Sequence, residues 1–291
     1  MSSVLIEVIE RSTRLSEGSK EKYTLCVGRF LAFAGEDPAG WSGATVERWR
    51  DHLAADKGAS TVNGHLYALR YASRRLEGLG VGLDFARAAE SLADPKTRRR
   101  KSMSLEDVKA LIATCDRGRP MDLRDRAVMV VALRTGLRAS NLVGLSWGGI
   151  KGRVADCIIK GGKHHQVILD DRCLDALQSW GSWLEASGKS LRGPVMRRIS
   201  ETVSGDYIVG NVIRRRQWVN DMLKSRAAEA RIGNVHAHLF RHTFVSWALE
   251  AGVPPHRVMR QTGHSNMATL SQYVTDLEAE TNPIGNHLPE F

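Results

Sequence analysis

Two histidines, an arginine and a tyrosine recur at fixed offsets between His238 and Tyr273: His238-Leu239-Phe240-Arg241-His242, then Gly263-His264, then Tyr273. Arginine is a permanent cation whose planar fork of donors fits phosphate oxygens. Histidine takes or gives a proton near neutral pH, or donates to an oxyanion. Tyrosine is a weak nucleophile unless charge develops beside cations. Together they describe attack of a tyrosine oxygen on a phosphodiester, with arginine and histidine holding the charge of the transition state. Taken singly, His-x-x-Arg is a surface or cap pair, Gly-His a turn and a late tyrosine a packing residue. The combination carries the reading.

These residues need elements to hold them. Phe240, Phe244, Trp247 and Ala251 follow helical spacing, which puts His238 and Arg241 on one helix face. Gly252 stops that helix and Pro254 opens the next. Gly263 ends the second, and Ser265 caps a third that carries Tyr273.

Upstream stretches complete the pattern. Thr135-Gly136-Leu137-Arg138-Ala139-Ser140-Asn141-Leu142 follows a strongly apolar helix, Leu123 to Thr135. Ile159-Lys160-Gly161-Gly162-Lys163 reads as a β-hairpin turn within Arg153 to Leu169, the only convincing strand pair. The order Arg…Lys…His-x-x-Arg…Gly-His…Tyr resembles the tyrosine recombinases, also called the phage integrase family. The resemblance is specific over residues 104 to 280. It implies that Arg138, Lys160, His238, Arg241, His264 and Tyr273 are the six catalytic residues, Tyr273 being the nucleophile. The nine residues from His264 to Tyr273 suit the family.

One position departs from it. The family carries Glu or Asp three residues after the first arginine, where this chain has Asn141. Asparagine accepts a hydrogen bond but brings no charge. The expectation is a working site that is slower or more sensitive to conditions.

The resemblance further implies a mainly α fold with a small β-sheet in the second domain. Two domains form a C-shaped DNA clamp: a helical core-binding domain over 1–92, a basic linker over 93–103 and a catalytic domain over 104–291. The chain begins almost directly with the first of these, so no separate arm-type domain is expected. The implied partners are double-stranded DNA with inverted binding elements, a homo-tetramer on paired sites, and an accessory directionality factor. Leu288 and Phe291 are either anchors for a neighbouring subunit or part of a frayed end.

Composition agrees with a polyanion partner. The 291 residues hold 42 Lys+Arg against 32 Asp+Glu, a net charge of +10. There is no transmembrane run and no secretory signal. The four cysteines lack Cys-x-x-Cys spacing and read as buried thiols of a cytoplasmic, nucleoid-associated protein. No cofactor or metal is expected.

Basic side chains are candidate phosphate contacts. Lys20, Arg70 and Arg74 lie in the first domain, on helices or as solvated faces of them. Lys96, Arg98, Arg99, Arg100 and Lys101 form the linker run. Arg214, Arg215 and Arg216 open a long helix, Asn211 to Arg231, where they oppose its dipole unless a phosphate compensates. Leu191 to Gly205 reads as irregular. Ser104-Leu105-Glu106-Asp107 is a capping box that starts the second domain.

Two other readings share much of this pattern. A type IB topoisomerase relaxes DNA by the same chemistry without exchanging partners. A non-catalytic DNA-binding regulator on the same fold has only Asn141 in its favour.

Overall fold

The computed structural model describes residues 4–79, 85–87, 89–93, 102–159, 162–213 and 215–263. The chain divides into two compact units, residues 1–97 and 98–291.

The first unit is helical: α1 (Val4–Glu10), α2 (Glu17–Ala34), α3 (Gly43–Ala54) and α4 (Ala59–Glu77). Ser42 caps α3 by accepting from the Thr45 N–H at 3.2 Å. Gly58 is the N-cap of α4. Phe30, Trp49, Leu66 and Leu69 are fully buried, at helical spacings that the sequence already displays. Phe30 stacks on Phe85 at 5.7 Å, which draws the segment after α4 onto the bundle.

The second unit begins with α5 (Leu105–Ala113), α6 (Pro120–Thr135) and α7 (Ala139–Gly144). Ser104 caps α5 by accepting from the Asp107 N–H at 3.0 Å. Ala127, Val128, Met129, Val131 and Ala132 are all buried, so α6 is surrounded by protein. A three-stranded antiparallel sheet follows: β1 (Ile150–Lys151), β2 (Val154–Ile159) and β3 (Lys163–Ile168), in the order β1-β2-β3. Its hairpin pairs Ile159 with Lys163 and Val154 with Ile168. Helix α8 (Asp171–Ala186) packs on α6 and buries Trp180, whose indole N–H donates to the Val195 carbonyl at 2.9 Å.

Residues 191–205 are not wholly irregular. Strands β4 (Arg197–Glu201) and β5 (Tyr207–Val212) form a second antiparallel sheet. Tyr207, Ile208, Val209 and Val212 are β-branched or aromatic residues of the kind that suit a pleated, half-buried surface. The strand consumes the expected start of the long helix, so α9 spans only Gln217–Glu229, and Arg215 and Arg216 precede it. Helices α10 (Ala237–Glu250) and α11 (Pro255–Thr262) complete the described unit.

A buried ion cluster joins α6 and α9 to the end of α5. Arg226 Nη2 donates to Asp122 Oδ1 and Asp125 Oδ2, each at 2.7 Å, and Nη1 to the Thr114 carbonyl at 2.9 Å. Burial raises the Asp122 carboxyl, yet hydrogen bonds from Arg119 and Arg226 outweigh it and leave the group below the usual carboxylate range.

Candidate active site

The first arginine is delivered by a helix end. Helix α6 closes at Gly136, which is left-handed at φ 65° and whose N–H bonds the Ala132 carbonyl at 3.0 Å. A Cβ there would lie 2.6 Å from Phe244 Cδ1 and 3.0 Å from Thr262 Cγ2. Backbone conformation and the close approach of α10 and α11 therefore both demand glycine. Leu137 is buried, and Arg138, half-buried, is the N-cap of α7.

Helix α10 carries the second arginine. His236 caps it, Nδ1 accepting from the Leu239 N–H at 3.1 Å. His238 is exposed, and its ring meets the His242 ring edge-on at 4.8 Å. Arg241, one turn on, is 1% exposed. Its Nη1 donates to the Gly136 carbonyl at 2.8 Å and to the Thr262 carbonyl at 2.7 Å. One nitrogen thus joins the turn that leads to Arg138 with the helix end that leads to His264. Gly263 closes α11 in the left-handed region at φ 65°.

The β2–β3 hairpin is attached to both of these turns. Asn141 is 3% exposed, and its Nδ2 donates to the Ile158 carbonyl at 2.5 Å. Gln261 Oε1 accepts from the Ile168 N–H at 3.2 Å, and its Nε2 donates to the Ile168 carbonyl at 2.8 Å. His165 Nε2 lies 3.2 Å from the Gln261 carbonyl. Gly162, at φ 73°, donates to the Ile159 carbonyl at 3.1 Å and closes the hairpin turn. Cys157 on β2 is no rival nucleophile, because burial pushes its thiol up to about 11.

Arg138, His238 and Arg241 therefore belong to elements that meet. Lys160, His264 and Tyr273 lie outside the described residues, as do Lys96, Arg98, Arg99, Arg100, Lys101, Arg214 and the tail with Leu288 and Phe291. Of the other candidate phosphate contacts, Arg74, Arg215 and Arg216 are exposed. Lys20 pairs with Glu17 at 2.9 Å. Arg70 is turned inward: its guanidinium bonds the Ala86 and Ala89 carbonyls and Ser91 Oγ. Sequence reasoning did not find Gln261 or His165. Both act on partners more than ninety residues away in the chain, where no local pattern can mark them.

A model of the phage integrase family matches residues 101–280. The tyrosine recombinase XerD of Pseudomonas aeruginosa is 30% identical over 195 residues, 64% of this chain and 63% of that protein. The tyrosine recombinase XerC of Pelobacter propionicus is 27% identical over 278 residues, 91% of this chain and 87% of that protein. The first alignment thus spans less than two thirds of its relative, the second most of it. Among solved structures, the XerH site-specific recombinase bound to palindromic difH substrate gives a TM-score of 0.69 at 14% identity, covering 98% of this chain and 85% of that one. A lambda integrase dimer bound to a COC′ core site gives 0.69 at 14% identity, covering 100% and 98%. At such identities the likeness is one of fold, mainly helical with small antiparallel sheets. The family match spans more than half of the residues, and the chain belongs to the phage integrase family, the tyrosine recombinases.

Proposed function

We propose that the protein is a site-specific DNA recombinase that cuts and rejoins DNA through a 3′-phosphotyrosyl intermediate on Tyr273. The observation that supports this most is Arg241, a buried cation whose Nη1 bonds the backbone just before Arg138 and just before Gly263-His264. Tyr273 Oη attacks the scissile phosphorus and passes its proton to His238. Arg138, Arg241 and His264 stabilise the non-bridging oxygens as charge builds. Lys160 protonates the 5′-oxygen as the P–O5′ bond breaks. The phosphotyrosyl link retains the bond energy, so a 5′-hydroxyl of the partner strand can attack it and reseal the backbone without a nucleotide cofactor.

In the same reading, residues 1–92 are the core-binding domain, 93–103 the linker and 104–291 the catalytic domain. Lys20, Arg74, the 96–101 run and Arg214 to Arg216 meet phosphates. These contacts hold the protein on the duplex without reading its bases. XerH was solved on its difH substrate and a lambda integrase tetramer on a Holliday junction. The first supports a DNA partner with inverted elements here, and the second a four-protomer assembly; action in the cytoplasm and an accessory directionality factor complete the proposal.

The test is a nicked suicide duplex built on a site that the protein selects from a random-sequence library. Wild type and Tyr273→Phe are compared on a denaturing gel. The expected result is a covalent protein–DNA band from wild type alone. Binding without a band from either protein would overturn the reading in favour of a DNA-binding regulator.

A further inference from the structure

The β2–β3 hairpin runs between the two turns that Arg241 joins, and each strand is held by one carboxamide. Asn141 belongs to the first turn of α7, three residues after Arg138, and its amide N–H holds the Ile158 carbonyl of β2. Gln261 belongs to the last turn of α11, and it bonds both the N–H and the carbonyl of Ile168 on β3. A primary amide carries the same donor and acceptor as a peptide group. Gln261 therefore pairs with the outer edge of β3, the terminal strand of its sheet, as a residue of a further strand would. His165 grips the same stretch of α11 from the strand side.

We propose that Asn141 and Gln261 are positioning residues that hold the hairpin in register with the Arg138 turn and the Gly263 end of α11. Lys160 follows Ile159 directly in the chain, so the end of β2 is the covalent attachment of the residue that the recombinase reading makes the general acid. This rests on the recombinase reading above. It also reverses the expectation drawn from the family pattern at position 141. A carboxylate there has no N–H to give, and would set a negative charge against the Ile158 carbonyl oxygen. In this chain asparagine is the fitting residue, and an acid is a loss.

Hairpin placement and plain stability are separable by the leaving group. Breaking a P–O5′ bond requires a proton on the departing oxygen, whereas a 5′-bridging sulfur departs as a thiolate and requires none. Adduct formation is measured for wild type, Asn141→Asp and Gln261→Met on the suicide duplex with oxygen and with sulfur at that position, alongside thermal melts. Both variants should be slowed about tenfold or more on oxygen, a fraction of what a general acid contributes. Both should return to within about twofold of wild type on sulfur. Equal slowing on the two substrates, or none on oxygen, overturns the inference. If Asn141→Asp does not fold, Gln261→Met at the half-buried end of α11 decides alone. An active wild type with indifferent variants sinks this inference only. A wild type with no adduct on either substrate sinks the recombinase reading and this inference with it.

Discussion

Arg241 Nη1, on α10, donates to the carbonyl oxygen of Gly136, the left-handed residue that ends α6, at 2.8 Å. The bond works only while the Gly136 turn stays close against Phe244 and Thr262. Gly136→Ala puts a methyl 2.6 Å from the Phe244 ring and keeps a backbone conformation that L-residues resist. The two effects together should destabilise the protein by about 2–5 kcal/mol. Urea unfolding measures that loss. Adduct formation should fall further than stability does, because Arg138 follows two residues on.

Arg226 holds two buried carboxylates and one carbonyl. Arg226→Met removes the cation and leaves its partners in the core, at an expected cost of about 3–5 kcal/mol near neutral pH. The Asp122 carboxyl is depressed in the folded protein, partly by Arg226. Its stabilisation is present above the unfolded carboxylate range, about pH 4, and is lost as pH falls through the lower folded value. Melting curves over a falling pH series should show wild type losing more stability in acid than Arg226→Met.

Arg70 and Arg74 lie one turn apart on α4 with different tasks. Arg70 ties down the segment after α4, through Ala86, Ala89 and Ser91. Arg74 is exposed. Arg70→Ala should therefore lower the melting temperature and leave the salt dependence of DNA binding almost unchanged. Arg74→Ala should leave melting unchanged and flatten the slope of log affinity against log salt by about 0.9, the contribution of one phosphate contact. Denaturation curves and a salt titration of binding check both.

Local pattern made much of the fold legible. Helices α2, α3, α4 and α8 bury residues at helical spacing, and their periodicity is visible without neighbours, whereas α6 is marked by a continuous apolar run. The hairpin was legible from Gly161-Gly162, with Cys157-Ile158-Ile159 before it and a strand ending Val167-Ile168-Leu169 after it. The β4–β5 sheet was not: Arg197, Arg198, Ser200 and Glu201 give a strand with almost no apolar signal, and its pairing partner supplies what its own residues do not. The start of α9 was misplaced for the same reason, since Val212 and Ile213 were counted toward a helix when their neighbours already paired as strand. Asn141 was visible as a departure from a family motif. Its hydrogen bond to the Ile158 carbonyl was not.

Residue types and their order came from the chain alone: an arginine after an apolar helix, a lysine at a glycine turn, His-x-x-Arg, Gly-His and a tyrosine. Side-chain chemistry is a property of the residue, so those candidates and their reaction could be named in advance. Tertiary structure decided that Arg241 is buried and joins the backbone at Gly136 and Thr262, that Arg70 serves its own unit, and that two carboxamides hold the hairpin. Each of these depends on a backbone group brought near by packing. Every residue carries the same carbonyl and nearly every one the same N–H, so no sequence pattern marks which of them a distant side chain will meet.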